Sequence, residues 1–513
     1  MVEKMNFLLA LLPIAVILIL MVGFRWGASR AGGAGYLTAL VVAIAAFGAG
    51  PQLLAVAHGK ALLLTIDVLF IIWMAFLLYR VADEAGAIKA IGQALPHLTA
   101  DQGMQALIIG WVFASFLQGV GGFGVPVAVI APLMVGLGFA PLSAVVIPSL
   151  GHSWAVTFGS LGSSFNAMMA ATGLPQELLG PPAAFFLGVA GLGVGLMVTH
   201  AAGGWQALRR LLLPTLIIGV AMGVGQYLAV VVGLWNIAAF IGAIVGLVVG
   251  FPLARRFRGE QGNNGHLDSR KLWIALSGYI VLIAITLGIQ LIPMVRDTLG
   301  QVKFNLEFPG VSTSLGYATP AEAGRSIPIF RHAGAILLYA SIAAYFIYRA
   351  AGWYQPQAAS RIVTGTVKKV MSSSVGIASM VAMAVVMQHA GMTETLAQGL
   401  ADGTGRLFPA VSPWIGALGA FMTGSNTNSN VVFAALQMRT AELLGYSVAI
   451  ILAAQTSGAA LGSVIAPTKV VVGASTGGMA GREGEIMRKM LVYTGILVAM
   501  MSVLAIISVL IAG

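Results

Sequence analysis

The residues best suited to chemistry sit in four short interruptions of an otherwise apolar chain. In "LQGVGGFGVP", Gly119, Gly121, Gly122 and Gly124 surround Phe123, with Gln118 ahead of them and Pro126 just beyond. In "TGSNTNSNVVF", Ser425, Asn426, Thr427, Asn428, Ser429 and Asn430 form a continuous polar run. Two shorter polar breaks follow: "SLGHSW" holds His152 and Ser153, and "QTSG" holds Gln455, Thr456 and Ser457. Unwound backbone offers free N–H groups, and half-helix N-termini carry partial positive charge. Both suit a small anion such as a carboxylate. Glycines admit a ligand or a facing backbone without Cβ atoms in the way. The four places are expected to line one hydroxyl- and amide-rich pocket with almost no fixed charge. Such a pocket fits a small hydroxylated monoanion better than a nucleotide or a dianion.

Each residue also has a plainer role to weigh. Glycine in membrane helices serves close packing, and Ser, Thr and Asn satisfy freed backbone groups. Phe123 is either a plug at the tip or a packing residue. His152, with an unperturbed pKa of about 6.5, is a candidate proton carrier or a structural hydrogen-bonder. Asp67, within "LLTIDVLFII", is a functional candidate because an intramembrane acid is expensive; pairing with another helix is the alternative. The seven His are scattered and no Asp/Glu pair falls inside an expected span, so no metal or acid–base centre is expected. "GASTGG" lacks the lysine of a phosphate loop. The chain has no Cys. No cofactor is expected, and the chain does not read as an enzyme.

The elements that must carry these residues are membrane helices. The 513 residues are 58% hydrophobic and 8% charged, with a mean hydropathy of +0.94. Segments of about 20 apolar residues, enough to span a bilayer, recur from "NFLLALLPIAVILILMVGF" to "MLVYTGILVAMMSVLAIISVLIAG". The fold class is an all-α polytopic membrane protein of the plasma (inner) membrane, with Met1–Val22 expected as a retained helix. The net charge of +11 sits in short loops, where it sets topology and does not indicate nucleic acid. Ala254–Lys271, Tyr348–Lys369 and Gly481–Lys489 then face the cytoplasm, and both termini face outside. Arg296–Arg331 forms an external cap.

Counting crossings makes Asp101–Ala140 a re-entrant hairpin with its tip at Gly119–Gly124, followed by crossings at Pro141–Ala170 and Ala183–Val198. A second hairpin, with arms Pro413–Met422 and Val431–Leu444, enters from the opposite face. Gly119 aligns with Gly424 and Gly151 with Gly458. The pattern is an inverted repeat, the plan of secondary transporters with midplane sites on broken helices. The expected organisation is scaffold helices in 1–100, the first hairpin and broken helix in 101–170, and central scaffold helices in 171–371 with an external loop at 296–331. The second hairpin and broken helix occupy 372–480, and a final helix 481–513; the two hairpin units form a transport domain.

At these residues the chain resembles the L-lactate permease family of bacterial and archaeal transporters. "FLQGVGGFGVPVAVIAPLMVGLGFAPL" is similar to the family's Phe-Leu-Glu-Gly-x-x-Gly-Phe-Gly-x-Pro-Val-Ala stretch. The likeness continues in "TGSNTNSNVVFAALQ", "AAQTSGAALGSVIAPTKVVVGAS" and "LLYRVADEAGAIKAI". The resemblance implies transport of L-lactate, glycolate or related 2-hydroxy-monocarboxylates with protons, on a fold similar to elevator-type transporters with two re-entrant hairpins. Two residues depart from it: Gln118 stands where the family has Glu, and Asn426 where Asp is frequent. Proton coupling through either carboxylate is thereby removed. His152 and Asp67 remain as candidate carriers, beside carriage of the acid with its own proton or replacement of H⁺ by Na⁺. The expected partners are a small carboxylate, protons or Na⁺, the lipid bilayer and a second copy of the chain as a homodimer. Rival readings are a Na⁺-coupled dicarboxylate transporter, which would favour basic residues near the tips, an integral-membrane enzyme, and a channel, which would want a symmetric filter.

Overall fold

The structure is a computed structural model that describes residues 2–24, 26–94, 99, 101–122, 124–257, 269–323 and 327–512. Among these, eleven helices are long and apolar enough to cross a membrane. One of them, Gln176–Val231, has 56 residues and would reach about 84 Å if straight, far beyond a bilayer core of about 30 Å. It folds back at Gly203 and Gly204, whose φ/ψ of −161°/27° and 63°/−155° leave the helical region. Gly188 then meets Gly223, and Leu192 meets Gly219, so the two halves run antiparallel. The crossing expected at Ala183–Val198 is therefore longer, 176–202, and a further crossing returns at once. Exposed side chains such as Leu37, Val41, Leu213 and Val248 face outward, as a lipid environment requires.

Two sets of elements correspond in order. Helix Pro51–Glu84, short helix Ala87–Ala94 and hairpin 1 (arms Gln102–Val120 and Val125–Gly136) begin the first set. Broken helix 1 (Pro141–Gly151, then Ser163–Thr172) and residues 176–202 complete it. The second set is Ala358–His389, Met392–Thr404, hairpin 2 (arms Phe408–Thr423 and Asn426–Leu443), broken helix 2 (Val448–Gly462, then Pro467–Thr476) and Glu483–Ala512. Matching close approaches support the pairing. A Cβ on Gly151 would lie 1.9 Å from the Gly110 carbonyl oxygen in the first arm of hairpin 1. A Cβ on Gly458 would lie 2.0 Å from the Pro413 carbonyl oxygen in the first arm of hairpin 2.

The sets are inverted. Arg361 Nε meets Glu84 Oε1 at 2.6 Å, and Trp73 Nε1 donates to Ser374 Oγ at 2.8 Å, so the long helices of the two sets are antiparallel. The hairpins obey the same relation. Gly124, Val127 and Ala131 advance alongside Val472, Gly473 and Gly477, so the second arm of hairpin 1 runs parallel to the end of broken helix 2. The second arm of hairpin 2 likewise starts beside Ser164 in broken helix 1 and runs with it. Gly473 and Gly477 abut Val145 near the start of broken helix 1, while Thr456, earlier in broken helix 2, meets Thr157 farther along broken helix 1, so the broken helices run antiparallel. The hairpins thus open toward opposite faces.

The cap is a nested β-hairpin. Lys303–Phe304 pairs with Ile327–Pro328, Glu307–Phe308 with Glu322–Ala323, and Val311–Ser312 with Ala318–Thr319, all antiparallel. Phe308 and Ile327 pack on Leu63 of the Pro51 helix. The ring of Tyr317 lies where a Cβ on Gly391 would be 2.8 Å away, so the cap covers the helix ends beneath it.

Candidate functional site

The first hairpin turns on fewer glycines than the sequence suggests. Helix persists through Val120, and Gly121, Gly122 and Gly124 leave it. Gly119 faces away from the tip, where its Cβ would meet Phe240 Cα at 2.9 Å, and Gly121 faces the Tyr79 ring. Those two serve packing. Gly122, at φ 58°, is the residue turned toward the site: its Cβ would fall 1.7 Å from Ser160 Oγ. Phe123 lies outside the described residues. Gly124, at φ 85°, starts the second arm with Pro126 in its first turn.

The second tip is also mostly helical. Gly424 (φ 70°) and Ser425 make the turn, and helix begins at Asn426 because Ser425 Oγ accepts the Asn428 N–H. Such a cap satisfies one of the free donors of a helix start. The polar run therefore projects side chains from a helix face. "QTSG" does not break its helix either. Gln455, Thr456 and Ser457 lie within Val448–Gly462, with Ser457 Oγ bonded back to the Ala454 carbonyl. The break comes one turn later, at Ser463–Ala466, because Pro467 forces Ala466 out of the helical region. In broken helix 1 the break falls where "SLGHSW" places it. It continues through Ser160, Leu161 and Gly162, which take three successive left-handed φ values of 46°, 55° and 76°. Left-handed backbone costs roughly 1–2 kcal/mol for each non-glycine residue, so neighbouring contacts must hold this turn in place.

These breaks meet. Asn426 Nδ2 donates to Thr157 Oγ1 at 2.9 Å, and Thr157 Oγ1 contacts Thr456 Oγ1 at 3.1 Å. Asn430 Nδ2 donates to the Ser164 carbonyl at 2.9 Å and to Thr456 Oγ1 at 3.0 Å. Ser164 Oγ pairs with Thr427 Oγ1 at 2.9 Å. Gln118 reaches the same turn from hairpin 1: a Cβ on Gly159 would lie 2.9 Å from its Nε2. The structure thus gathers Gln118, Gly122, Asn426, Thr427, Asn430 and Thr456. It adds Thr157, Ser160 and Ser164, which the sequence reading passed over although "TFGSLGSSFN" carries the same glycine and hydroxyl signal. Gln455 and Ser429 belong elsewhere, in a chain that joins Ser412, Gln437, Gln455 and Ser429 and locks hairpin 2 to broken helix 2. Ser153 caps its own helix on the Leu150 carbonyl.

The unpartnered atoms define the chemistry. Gln118 Oε1, Asn426 Oδ1, Asn428 Oδ1 and Asn430 Oδ1 are buried without hydrogen-bond partners, as is His152 Nε2. The orientation of Asn430 follows from its partner, because the Ser164 carbonyl only accepts. For the same reason His152 Nδ1, 2.6 Å from the Pro148 carbonyl, carries the hydrogen, and Nε2 of the neutral ring is an acceptor. Asn430 Oδ1 and His152 Nε2 are then acceptors, and Gln118, Asn426 and Asn428 each bury an unpartnered amide oxygen. Unmet buried acceptors cost about 1–3 kcal/mol each, so the cluster favours a ligand that brings donors. The half-buried Lys469 lies at the break of broken helix 2, where its Nζ donates to Ser463 Oγ at 3.1 Å. Asp67 lies outside the cluster. It is 2% exposed, with Oδ1 2.8 Å from His332 Nε2 and Oδ2 3.1 Å from Asn166 Nδ2. Among the described residues no group of His, Asp or Glu is placed to hold a metal.

Comparison with known proteins finds relatives of this chain. The family model of L-lactate permease matches residues 6–512. The L-lactate permease of Bacillus subtilis (strain 168) is 28% identical, over 82% of this chain and 80% of its own. The glycolate permease GlcA of Escherichia coli (strain K12) is 26% identical, over 94% of this chain and 91% of its own. Among solved structures, the YdaH transporter of Alcanivorax borkumensis aligns with a TM-score of 0.48 and 14% identity, covering 86% of this chain and 85% of that one. The relatives are permeases, not enzymes, and this multi-pass membrane protein belongs to the L-lactate permease family.

Proposed function

We propose that the protein is a secondary active transporter that imports L-lactate, glycolate or a related small 2-hydroxy-monocarboxylate by proton symport. Its hairpins and broken helices form a transport domain that moves, elevator-like, against the remaining scaffold helices. The observation that carries the substrate class is the set of unpartnered buried acceptors on Gln118, Asn426 and Asn430, which the meeting breaks bring together. A 2-hydroxyl is the donor these atoms lack, and one carboxylate matches the single Lys469 at the break. The Ser160 hydroxyl, beside Gly122, is a further donor for the carboxylate. A dicarboxylate would bring a second charge that no cation among the described residues of the cluster balances.

A second reading follows from the same atoms. Several amide oxygens together also suit a hard cation, so Na⁺-coupled carriage of another small organic anion is the rival. Uptake of labelled L-lactate into proteoliposomes, with pH and Na⁺ gradients imposed separately, tests both. Accumulation on an inward proton gradient alone is expected, with propionate competing ten- to hundredfold more weakly than lactate because it lacks the hydroxyl. Accumulation driven only by Na⁺, or equal competition by propionate, would overturn the reading.

A further inference from the structure

A buried triad joins three elements away from the substrate cluster. Asp67 lies on helix Pro51–Glu84, His332 at the N-terminal cap of helix Ala333–Ala350, and Asn166 on the second half of broken helix 1. The state of the imidazole follows from its partners. His332 Nδ1 accepts the Gly334 N–H at 3.1 Å, so the ring hydrogen sits on Nε2 and is donated to Asp67 Oδ1 at 2.8 Å. A second proton on the ring would aim Nδ1–H at the Gly334 N–H, and the cap would be lost. Phe70 stacks on the imidazole with ring centroids 5.2 Å apart and 8° between planes, which fixes its orientation. Gly334 leaves room for this stack, because a Cβ there would lie 2.7 Å from the Phe70 ring.

The triad lies behind the wall of a cavity. A cavity of about 650 Å³ is lined by Leu64 and Val68, on either side of Asp67 along the helix, by Ala167 next to Asn166, and by Arg331 next to His332. Among the described residues, Lys60 on the same helix, Arg331 and Glu177 are the charged groups that line this vestibule. Helix Ala358–His389 contributes the uncharged Gln388, and the second arm of hairpin 2 contributes Val431 and Ala435.

We propose that Asp67 takes up the coupled proton from this vestibule, and that protonation unties broken helix 1 from helix Pro51–Glu84. The inference rests on the proton-symport reading above. Oδ1 is held as an acceptor by His332, so the proton adds to Oδ2, converting carboxylate to carboxylic acid. The new O–H then faces the Asn166 Nδ2–H donor, and the 3.1 Å hydrogen bond between scaffold and transport domain is lost. Deprotonated Asp67 favours the arrangement with the vestibule open; protonation lets the loaded transport domain leave it. His332 is a positioning residue that keeps the proton off the imidazole.

The test begins without substrate. Infrared difference spectra of purified, monodisperse protein between high and low pH should contain a protonated-carboxyl band that Asp67→Asn removes and His152→Gln retains. Superimposable spectra for wild type and Asp67→Asn would overturn the proposal. In proteoliposomes, accumulation of lactate on a proton gradient should fall at least tenfold in Asp67→Asn and return in Asp67→Glu. His332→Gln, which keeps an N–H donor for Oδ1, should move the pH midpoint of exchange, an effect that lost packing alone would not produce. Undiminished proton-driven accumulation in Asp67→Asn would refute the assignment. If wild type fails to carry lactate while the Asp67 band is present, the substrate reading falls and the proton site stands.

Discussion

At the first hairpin tip Gly121, Gly122 and Gly124 present bare backbone, whereas the second turns on Gly424–Ser425 and presents a row of amides and hydroxyls. The tips hold corresponding places in an inverted repeat, yet one contributes space and the other contributes bonds. At Gly122 an added Cβ would fall on Ser160 Oγ at 1.7 Å, while at Gly424 it would lie 2.8 Å from Thr468 Oγ1, the end of a side chain that can rotate. The two halves of a repeat need only share a backbone path to build one site. Their side chains are then free to divide the work.

Substitutions at the tips can break or sharpen this contrast. The largest effect is expected for Gly122→Leu. Left-handed strain of roughly 1–2 kcal/mol adds to overpacking of about 1–3 kcal/mol. Lactate affinity should fall about a hundredfold or more in protein that remains monodisperse, and Gly424→Ala should fall clearly less. Comparable losses at the two glycines would remove the distinction between the tips.

Next comes Asn430→Ala, which strips the Ser164 carbonyl of its donor and Thr456 of a partner. An unmet buried acceptor costs about 1–3 kcal/mol, so a ten- to hundredfold weaker Kd is expected by titration. Asn428→Ala removes one unpartnered oxygen and no mapped side-chain bond, and about a tenfold loss should follow. Stability and affinity separate at Gly119. Its alanine variant should lose about 1–3 kcal/mol of stability through contact with Phe240, read as a lower melting temperature, and leave the Kd of the folded protein near wild type. The smallest effect belongs to Ser457→Ala. Its hydroxyl only bonds back to its own helix, and transport should stay within roughly twofold, consistent with a change of about 0.5 kcal/mol or less.

Some errors of the sequence reading trace to one physical cause. Ser, Thr and Asn within apolar segments look like breaks because they are polar. In a helix they can return their hydroxyl to a carbonyl three or four residues back, as Ser457, Thr423 and Thr440 do, and the helix continues. Pro467 was the better signal for the second break, since a proline restricts the residue before it whatever the surrounding polarity. The glycines of "LQGVGGFGVP" announced a turn, but not which of them faced it. That depended on whether Phe240, Tyr79 or Ser160 lay opposite, and those neighbours come from 38 to 121 residues away along the chain.

What the sequence determined by itself is what the bilayer demands of any chain. Helical spans of the required length, polar interruptions buried away from lipid, and a doubled order of elements follow from hydropathy and glycine spacing. They do so because unpaired backbone in hydrocarbon leaves few alternatives. Only the tertiary structure decided which polar groups found partners. Asp67 was a solitary intramembrane acid in the sequence until His332, 265 residues on, and Asn166, 99 residues on, closed around its two oxygens. Gln118, Asn426, Asn428 and Asn430 were four amides among many until the folded breaks left each with a buried, unanswered oxygen. Satisfaction of a hydrogen bond is a property of pairs in space, and a linear order of residue types does not contain it.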